Sequence, residues 1–316
     1  MALLGQTPDR LSVERDGHIV SVIIPTVGRD TLALCRASLL EQTRPADELI
    51  TVMDCGRWGA AWARNEGFRR AKGDLIACID DDAIAPPDWL ERLVRAIDKY
   101  DAAAAGGTYQ ETDPLLDAIR RRSPVPVNEQ LDPGGLVGNA GNILFSRAWL
   151  EMCLAEDGHV FNPRFSGSGE DWELIWRLRK RRATIVYVPN PVSHLRRAAL
   201  WQHCRHSFQR GAGIALLYNL YHSDAGNVVA QNSLLWGRDG VKSKPRWGRA
   251  FWEKVVGPFD FGNFSKARHF WQFWIGEKCQ AIGFLWGMVR RCNSAGSAVR
   301  RRTVKSETAK DARGTT

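Results

Sequence analysis

The chain has 316 residues, 44% hydrophobic and 25% charged, enough to bury a core in one large domain or two of medium size. That composition excludes a wholly disordered chain and a disulfide-stapled mini-protein. Seven cysteines, an odd number with no Cys-x-x-Cys pair, argue against a secreted disulfide framework or a zinc ribbon and fit a reducing cytosol.

The formal net charge is +9, and most of it sits at one end. Between Arg290 and Thr316 eight Lys/Arg stand against Glu307 and Asp311, in a stretch with almost no large apolar residue. Such a tail cannot bury a core. It reads as a solvated tail, or as a polybasic segment attracted to anionic lipid. Nucleic acid is the poorer partner, because no recognition motif accompanies the charge. Met1 to Gly17 shows no apolar signal-peptide region and is taken as an N-terminal extension, residues 1–18. No run of about 18 apolar residues marks a membrane span.

Val20-Ser21-Val22-Ile23-Ile24-Pro25 predicts a buried strand, and Asp30 to Gln42 a helix. Glu48 to Met53 is a second strand, stopped at Asp54-Cys55-Gly56. Ala60 to Ala71 reads as a helix closed by Lys72-Gly73. Asp74 to Ile79 is a third strand running into Asp80-Asp81-Asp82, and Pro87-Asp88-Trp89 opens a helix to about Tyr100. Tyr109 to Gly138 looks like a long loop with a short helix. Asn142 to Phe145 returns as a strand, Glu170 to Lys180 is helical, and Ala183 to Val188 is a late strand. After His194 the composition shifts, with seven of the thirteen tryptophans between 201 and 286.

Strands alternating with helices predict an α/β fold, a mostly parallel sheet flanked by helices. In such sheets ligands bind at the carboxyl ends of the strands, here Pro25-Thr26, Asp54 and Asp80 to Asp82. Three adjacent aspartates repel one another unless something compensates them. Mg²⁺ or Mn²⁺ does so, taking carboxylate oxygens together with substrate phosphates. A helix N-terminus is the competing explanation, but it needs one aspartate rather than three.

In this order the motifs resemble the family 2 glycosyltransferases of the GT-A (Rossmann-like) fold, over about residues 19–215. They are Val22-Ile23-Ile24-Pro25-Thr26, Val52-Met53-Asp54-Cys55-Gly56, Ala63-Arg64-Asn65-Glu66-Gly67, Gly73-Asp74, and Ile79-Asp80-Asp81-Asp82 with Pro87-Asp88-Trp89-Leu90 behind it. Gly169-Glu170-Asp171-Trp172-Glu173-Leu174 and Ser193-His194 complete the set. The resemblance implies a catalytic domain over 19–200 and a helical, Trp-rich acceptor or membrane-associating region over 201–289, before the basic tail 290–316.

It also implies roles. Pro25, Thr26 and Asp54 would line the nucleoside pocket, with Asp54 accepting a hydrogen bond from the base, and Arg64 would lie near the base or diphosphate. Asp80 and Asp82 would bracket the diphosphate, with Asp80 reaching the ribose or the ion, Asp81 contacting substrate, and Asp80, Asp82 and His194 on the metal, Mn²⁺ or Mg²⁺. Cys55 stands where the family frequently has a second aspartate. Asp171 would be the general base that takes the acceptor proton, in a single displacement that inverts the anomeric centre. Glu170 and Trp172 would contact substrate. Glu170 or Glu173 could instead serve only the helix dipole, and His194 could be a structural histidine.

Trp201-Gln202-His203-Cys204-Arg205-His206 partly resembles the Gln-x-x-Arg-Trp motif of processive relatives, and Arg205 is its substrate-binding candidate. His206 replaces the tryptophan, which favours a single addition. Trp172, Trp176 and Trp201 would stack on an acceptor sugar or fill the core. Phe270 to Val289, broken by Glu277-Lys278, would either pack on the catalytic domain or lie in a membrane interface. The expectation is a cytoplasmic enzyme, peripheral at the inner face of the plasma membrane through 264–316. It would move sugar from a nucleotide-diphosphate donor to a glycan or lipid-linked saccharide in cell-envelope polysaccharide synthesis. A sugar nucleotidyltransferase and a non-catalytic nucleotide-sugar or membrane-binding module are the rivals.

Overall fold

A computed structural model describes residues 17–114, 116–117, 125–134, 136–165, 167–197, 199–231, 275–276 and 278–287. The first strand, β1 (Val20–Thr26), is buried along its whole length because it is flanked on both edges and covered on both faces. It pairs in parallel with β2 (Glu48–Met53) and β3 (Leu75–Ile79), with α1 (Leu32–Leu40) and α2 (Ala60–Arg70) between them. The chain continues through β4 (Ala83–Ile84), α3 (Trp89–Tyr100), β5 (Ala104–Gly106), β6 (Tyr109–Glu111), β7 (Gln130–Leu131) and β8 (Asn142–Ser146). Then come α4 (Arg147–Asp157), α5 (Glu170–Lys180), β9 (Ile185–Tyr187), β10 (Val192–His194) and α6 (Leu200–Gln231).

The main sheet runs β2-β1-β3-β8-β5-β9-β7. Only β8 and β7 oppose the common direction, so the sheet is mostly parallel, as expected. Strand alternation divides the core in two. Val22, Ile24, Ala77 and Ile79 face Trp89, Leu90 and Leu93 on one side. Ile23, Ile76 and Cys78 face Phe68, Leu150, Leu174 and Leu178 on the other. The approach of α2 to β1 is set by Gly67, where an added Cβ would lie 2.4 Å from Ile23 Cγ2.

A smaller sheet, β4-β10-β6, sits at the carboxyl end of β3. One expectation is corrected: the stretch from Tyr109 to Gly138 is not all loop, since it supplies β6 and β7. His194 lies on a strand of its own, β10, paired with both β4 and β6. Helix α4 and strand β5 are further additions.

Residues 275–276 and 278–287 pack against α6 rather than standing away from it. A Cβ at Gly283 would lie 2.0 Å from the Phe208 carbonyl oxygen, and one at Gly211 1.9 Å from that of Gln280. The two helical segments therefore meet backbone to backbone, with Phe208 and Trp286 rings 5.5 Å apart. Ile282, Leu285 and Trp286 remain partly exposed. The rest of the 264–316 segment, including the basic tail, lies outside the described residues, as do residues 1–16. Among the described residues no helix is long and apolar enough to cross a membrane.

Candidate active site

The carboxyl ends of β1, β2 and β3 open onto a cleft of about 630 Å³. Pro25, Thr26, Asp54, Arg64, Asp80, Asp81, Asp82, Glu170, Asp171 and His194 all line it, so residues far apart in sequence share one cavity. Trp172 and Arg205 are not among its lining residues. Trp172 packs beside Phe165, Trp176 and Leu217, with the Arg210 guanidinium 5.9 Å from its ring centre. Arg205 is exposed on α6. Both stand apart from the cleft that gathers the other candidates. Trp176 is buried core, and Trp201 is 75% exposed away from the cleft.

The three aspartates after β3 point to three different sets of partners. Asp80 accepts from Arg64 Nη2 at 2.9 Å and from the Tyr109 hydroxyl at 2.6 Å. Burial and the Asp80 charge push the Tyr109 phenol well above its ordinary pKa, so it stays an O–H donor. Asp81 is buried, accepts from the Thr26 hydroxyl at 2.5 Å, and pairs with Arg29. The Thr26 oxygen in turn accepts from Gly28 N–H at 2.9 Å, which fixes the turn after β1. Asp82 turns to β10, its Oδ1 lying 3.3 Å from His194 Nε2, with Arg29 3.6 Å from its other oxygen. Burial raises the Asp82 carboxyl, but His194 and Arg29 outweigh it and hold the group below the usual carboxylate range.

His194 is therefore placed by its second ring nitrogen as well. Nδ1 lies 2.7 Å from Glu111 Oε2, and the ring stacks on Tyr109 at 4.5 Å. Burial disfavours the charged ring, yet the carboxylates of Asp82 and Glu111 on either side push its pKa up to about 9. A carboxylate on one nitrogen and the other nitrogen turned inward is the pattern that orients a metal-binding histidine. Two ligands of one divalent ion, each at about 2.1 Å and at right angles, stand about 3 Å apart. The Asp82–His194 separation matches that spacing.

The three-residue set of Asp80, Asp82 and His194 does not form, because Asp80 is held by Arg64 and Tyr109. Among the described residues no group of three or more His, Cys, Asp or Glu is arranged to hold an ion by itself. Asp82 and His194 fit a hard cation as a pair, leaving positions for phosphate oxygens.

The opposite wall is built by the first turn of α5. Arg64, buried on α2, reaches Glu170 at 2.7 Å as well as Asp80, tying the two walls together. Burial opposes its charge, but the two carboxylates outweigh that and raise its pKa. This clamp, rather than a free diphosphate contact, is what occupies Arg64. Asp171, next to Glu170, accepts from Trp172 N–H at 2.8 Å and more weakly from Ala140 N–H at 3.4 Å. Burial and the neighbouring Glu170 charge raise the Asp171 carboxyl to about 7. Asp54 accepts from the N–H groups of Trp58 (2.7 Å) and Gly59 (2.6 Å), so it folds the loop that opens α2 while lining the cleft.

Arg29, Tyr109, Glu111 and Arg196 also line the site and were missed in the sequence. Arg29 lies in the Thr26-Val27-Gly28-Arg29 turn, so its proximity to the cleft was visible. Tyr109 and Glu111 sit on a three-residue strand with no apolar run to mark it.

Residues 50–151 match the model described as glycosyl transferase family 2. A curated relative, the glucosyl-dolichyl phosphate glucuronosyltransferase of Haloferax volcanii, is 47% identical over 63 residues, 20% of this chain and 20% of the relative. The chain thus aligns to only a fifth of that protein's length. The fold is similar to a mannosyltransferase from Pyrobaculum calidifontis solved with GDP-Man and Mn²⁺, with a TM-score of 0.56 and 16% identity, covering 85% of this chain and 87% of that one. Residues 1–349 of S. aureus TarS, solved with UDP, give a TM-score of 0.43 at 14% identity, over 86% of this chain and 91% of that one. The chain thus matches the glycosyl transferase family 2 model over residues 50–151 and shares the fold of that mannosyltransferase.

Proposed function

We propose that the protein is a metal-dependent, inverting glycosyltransferase that moves one sugar from a nucleotide-diphosphate donor to a saccharide or lipid-linked acceptor. The observation that carries this reading is a carboxylate with a pKa of about 7, Asp171, on the same cleft as the Asp82–His194 pair. A general base works best when its pKa lies near the working pH, and the acceptor hydroxyl needs one.

Asp82 and His194 would hold Mn²⁺ or Mg²⁺, which supplies Lewis-acid stabilisation to the departing diphosphate. Glu111 and Tyr109 keep the imidazole aimed at Asp82. Arg64 fixes Glu170 and Asp80 relative to each other, so that Asp171 stays in register with the aspartate turn. Asp171 takes the acceptor proton at a carboxylate oxygen, and attack opposite the leaving group inverts the anomeric carbon. Pro25, Thr26 and the Asp54 loop would bound the nucleoside.

The P. calidifontis fold relative holds GDP-Man and Mn²⁺, and the H. volcanii relative is named for glucosyl-dolichyl phosphate; both support this donor and acceptor chemistry. Exposed Ile282, Leu285 and Trp286, followed by the basic tail, support a peripheral contact with the inner leaflet. The test is nucleoside diphosphate release from purified full-length protein with UDP-, GDP- and dTDP-sugars and glycolipid acceptors, with and without Mn²⁺. Release with one donor, dependent on Mn²⁺, is expected. No release from any donor turns the reading toward a binding module.

A further inference from the structure

Helix α6 presents His203, His206, Ser207 and Arg210 to the cleft, positions at i, i+3, i+4 and i+7 that share one helical face. Arg196, on the segment leading from β10 to α6, and Arg29, from the turn after β1, line the same cavity. None of the four α6 residues is a carboxylate. Arg196 is half-buried at the cleft, where it feels the charges of Asp82 and Glu111.

The same helix borders the turn that delivers Asp171. A Cβ at Gly213 would lie 2.3 Å from the Ser168 carbonyl oxygen, and one at Gly167 3.5 Å from Gln209. A substrate that brings its hydroxyl to Asp171 therefore passes beside α6.

We infer that this face of α6, with Arg196, is an acceptor subsite for a phosphoryl group carried by the molecule that receives the sugar. The inference rests on the proposed glycosyl transfer and names its acceptor class. Guanidinium N–H groups, imidazole N–H groups and a hydroxyl together offer more donors than one carboxylate can accept, and suit the several oxygens of a phosphate. The field at this face is already positive. Partial desolvation and then the charges of Arg196, Arg205, Arg210 and Arg29 lower the His206 pKa, so that imidazole adds hydrogen bonds rather than charge. An acceptor phosphate would offset the positive field that these arginines set up together.

The experiment measures binding of octyl phosphate, octyl glucoside and inorganic phosphate to full-length protein by calorimetry, with nucleoside diphosphate plus Mn²⁺ binding as a separate arm. Octyl phosphate is expected to bind at least about tenfold more tightly than octyl glucoside, the discrimination one charge-assisted hydrogen bond provides. Arg196→Gln and Arg210→Gln should each weaken octyl phosphate about tenfold and leave nucleotide affinity within about twofold. Competition by inorganic phosphate would show that the headgroup, not the chain, is read. Equal binding of phosphate and glucoside detergents overturns the inference. So does a loss of nucleotide affinity in the variants that matches their loss of octyl phosphate, since the arginines would then hold the donor. If no donor is turned over while octyl phosphate still binds through these arginines, the transfer reading fails and the phosphate site stands.

Discussion

Replacing Asp171 by asparagine separates its chemistry from its cost to the fold. The folded protein lifts this carboxyl to about 7 from an ordinary value of 3.8, because burial and Glu170 disfavour its charge. Protonation is thus favoured in the folded state. Relative stability is fully present below the unfolded pKa and is lost as pH rises through about 7. A rise of that size corresponds to an upper bound of about 4 kcal/mol at pH 8. The amide keeps its oxygen for Trp172 N–H but turns an N–H₂ toward Ala140 N–H, so the net gain in stability at pH 8 falls to about 1–2 kcal/mol. At pH 4 the gain vanishes.

Activity moves the other way. Loss of a general base lowers kcat by about 10²–10⁴-fold while nucleotide affinity is retained. The assay pairs urea melts of both proteins at pH 4–8 with nucleoside diphosphate release across the same range. The parent should gain kcat/KM as pH rises through about 7. A variant with undiminished turnover, or one destabilised equally at every pH, would rule out Asp171 as a buried base.

Glu111→Gln removes one of the two carboxylates flanking His194 and should raise the Mn²⁺ concentration for half-maximal activity about 10–100-fold, read from a metal titration. Arg64→Leu leaves Asp80 and Glu170 without their shared partner and should cost about 3–5 kcal/mol in a urea melt. Gly67→Ala forces a methyl into Ile23 and should cost about 1–3 kcal/mol, seen as a lowered Tm with binding unchanged in the surviving folded fraction. Gly283→Leu should break the contact with Phe208 and expose 278–287 to limited proteolysis, leaving the cleft's nucleotide affinity intact.

The parts of the fold that could be read in advance are those written as long apolar runs. Strands β1, β2 and β3 carry three or more large or β-branched residues, and β2 has the boundaries expected for it. Strand β5 lies within Ala102 to Gly106, small residues with no strand signature, and is held by pairing with β8 and β9 rather than by propensity. β6 and β10 have three residues each, too short for a period, and their pairing with each other is a long-range event that local pattern does not encode. That is why Glu111 and Tyr109 were invisible while His194 and Asp82 were not. The aspartate triplet announced a site, but the division of labour within it depends on Arg29 and Arg64 arriving from β1's turn and α2. Trp172 followed the motif into the candidate set, yet one residue along a helix is a turn of about 100°, enough to direct it into the Phe165–Leu217 packing instead.

The proposed mechanism turns on one divalent ion bound between Asp82 and His194 together with the donor's diphosphate. Electron paramagnetic resonance of Mn²⁺ with full-length protein, with and without nucleoside diphosphate, reads that ion without relying on turnover. One tightly bound ion is expected when nucleotide is present, lost in Asp82→Ala and in His194→Ala and retained in Trp201→Ala. Undiminished Mn²⁺ binding in both cleft variants would place the ion elsewhere and remove the basis of the mechanism.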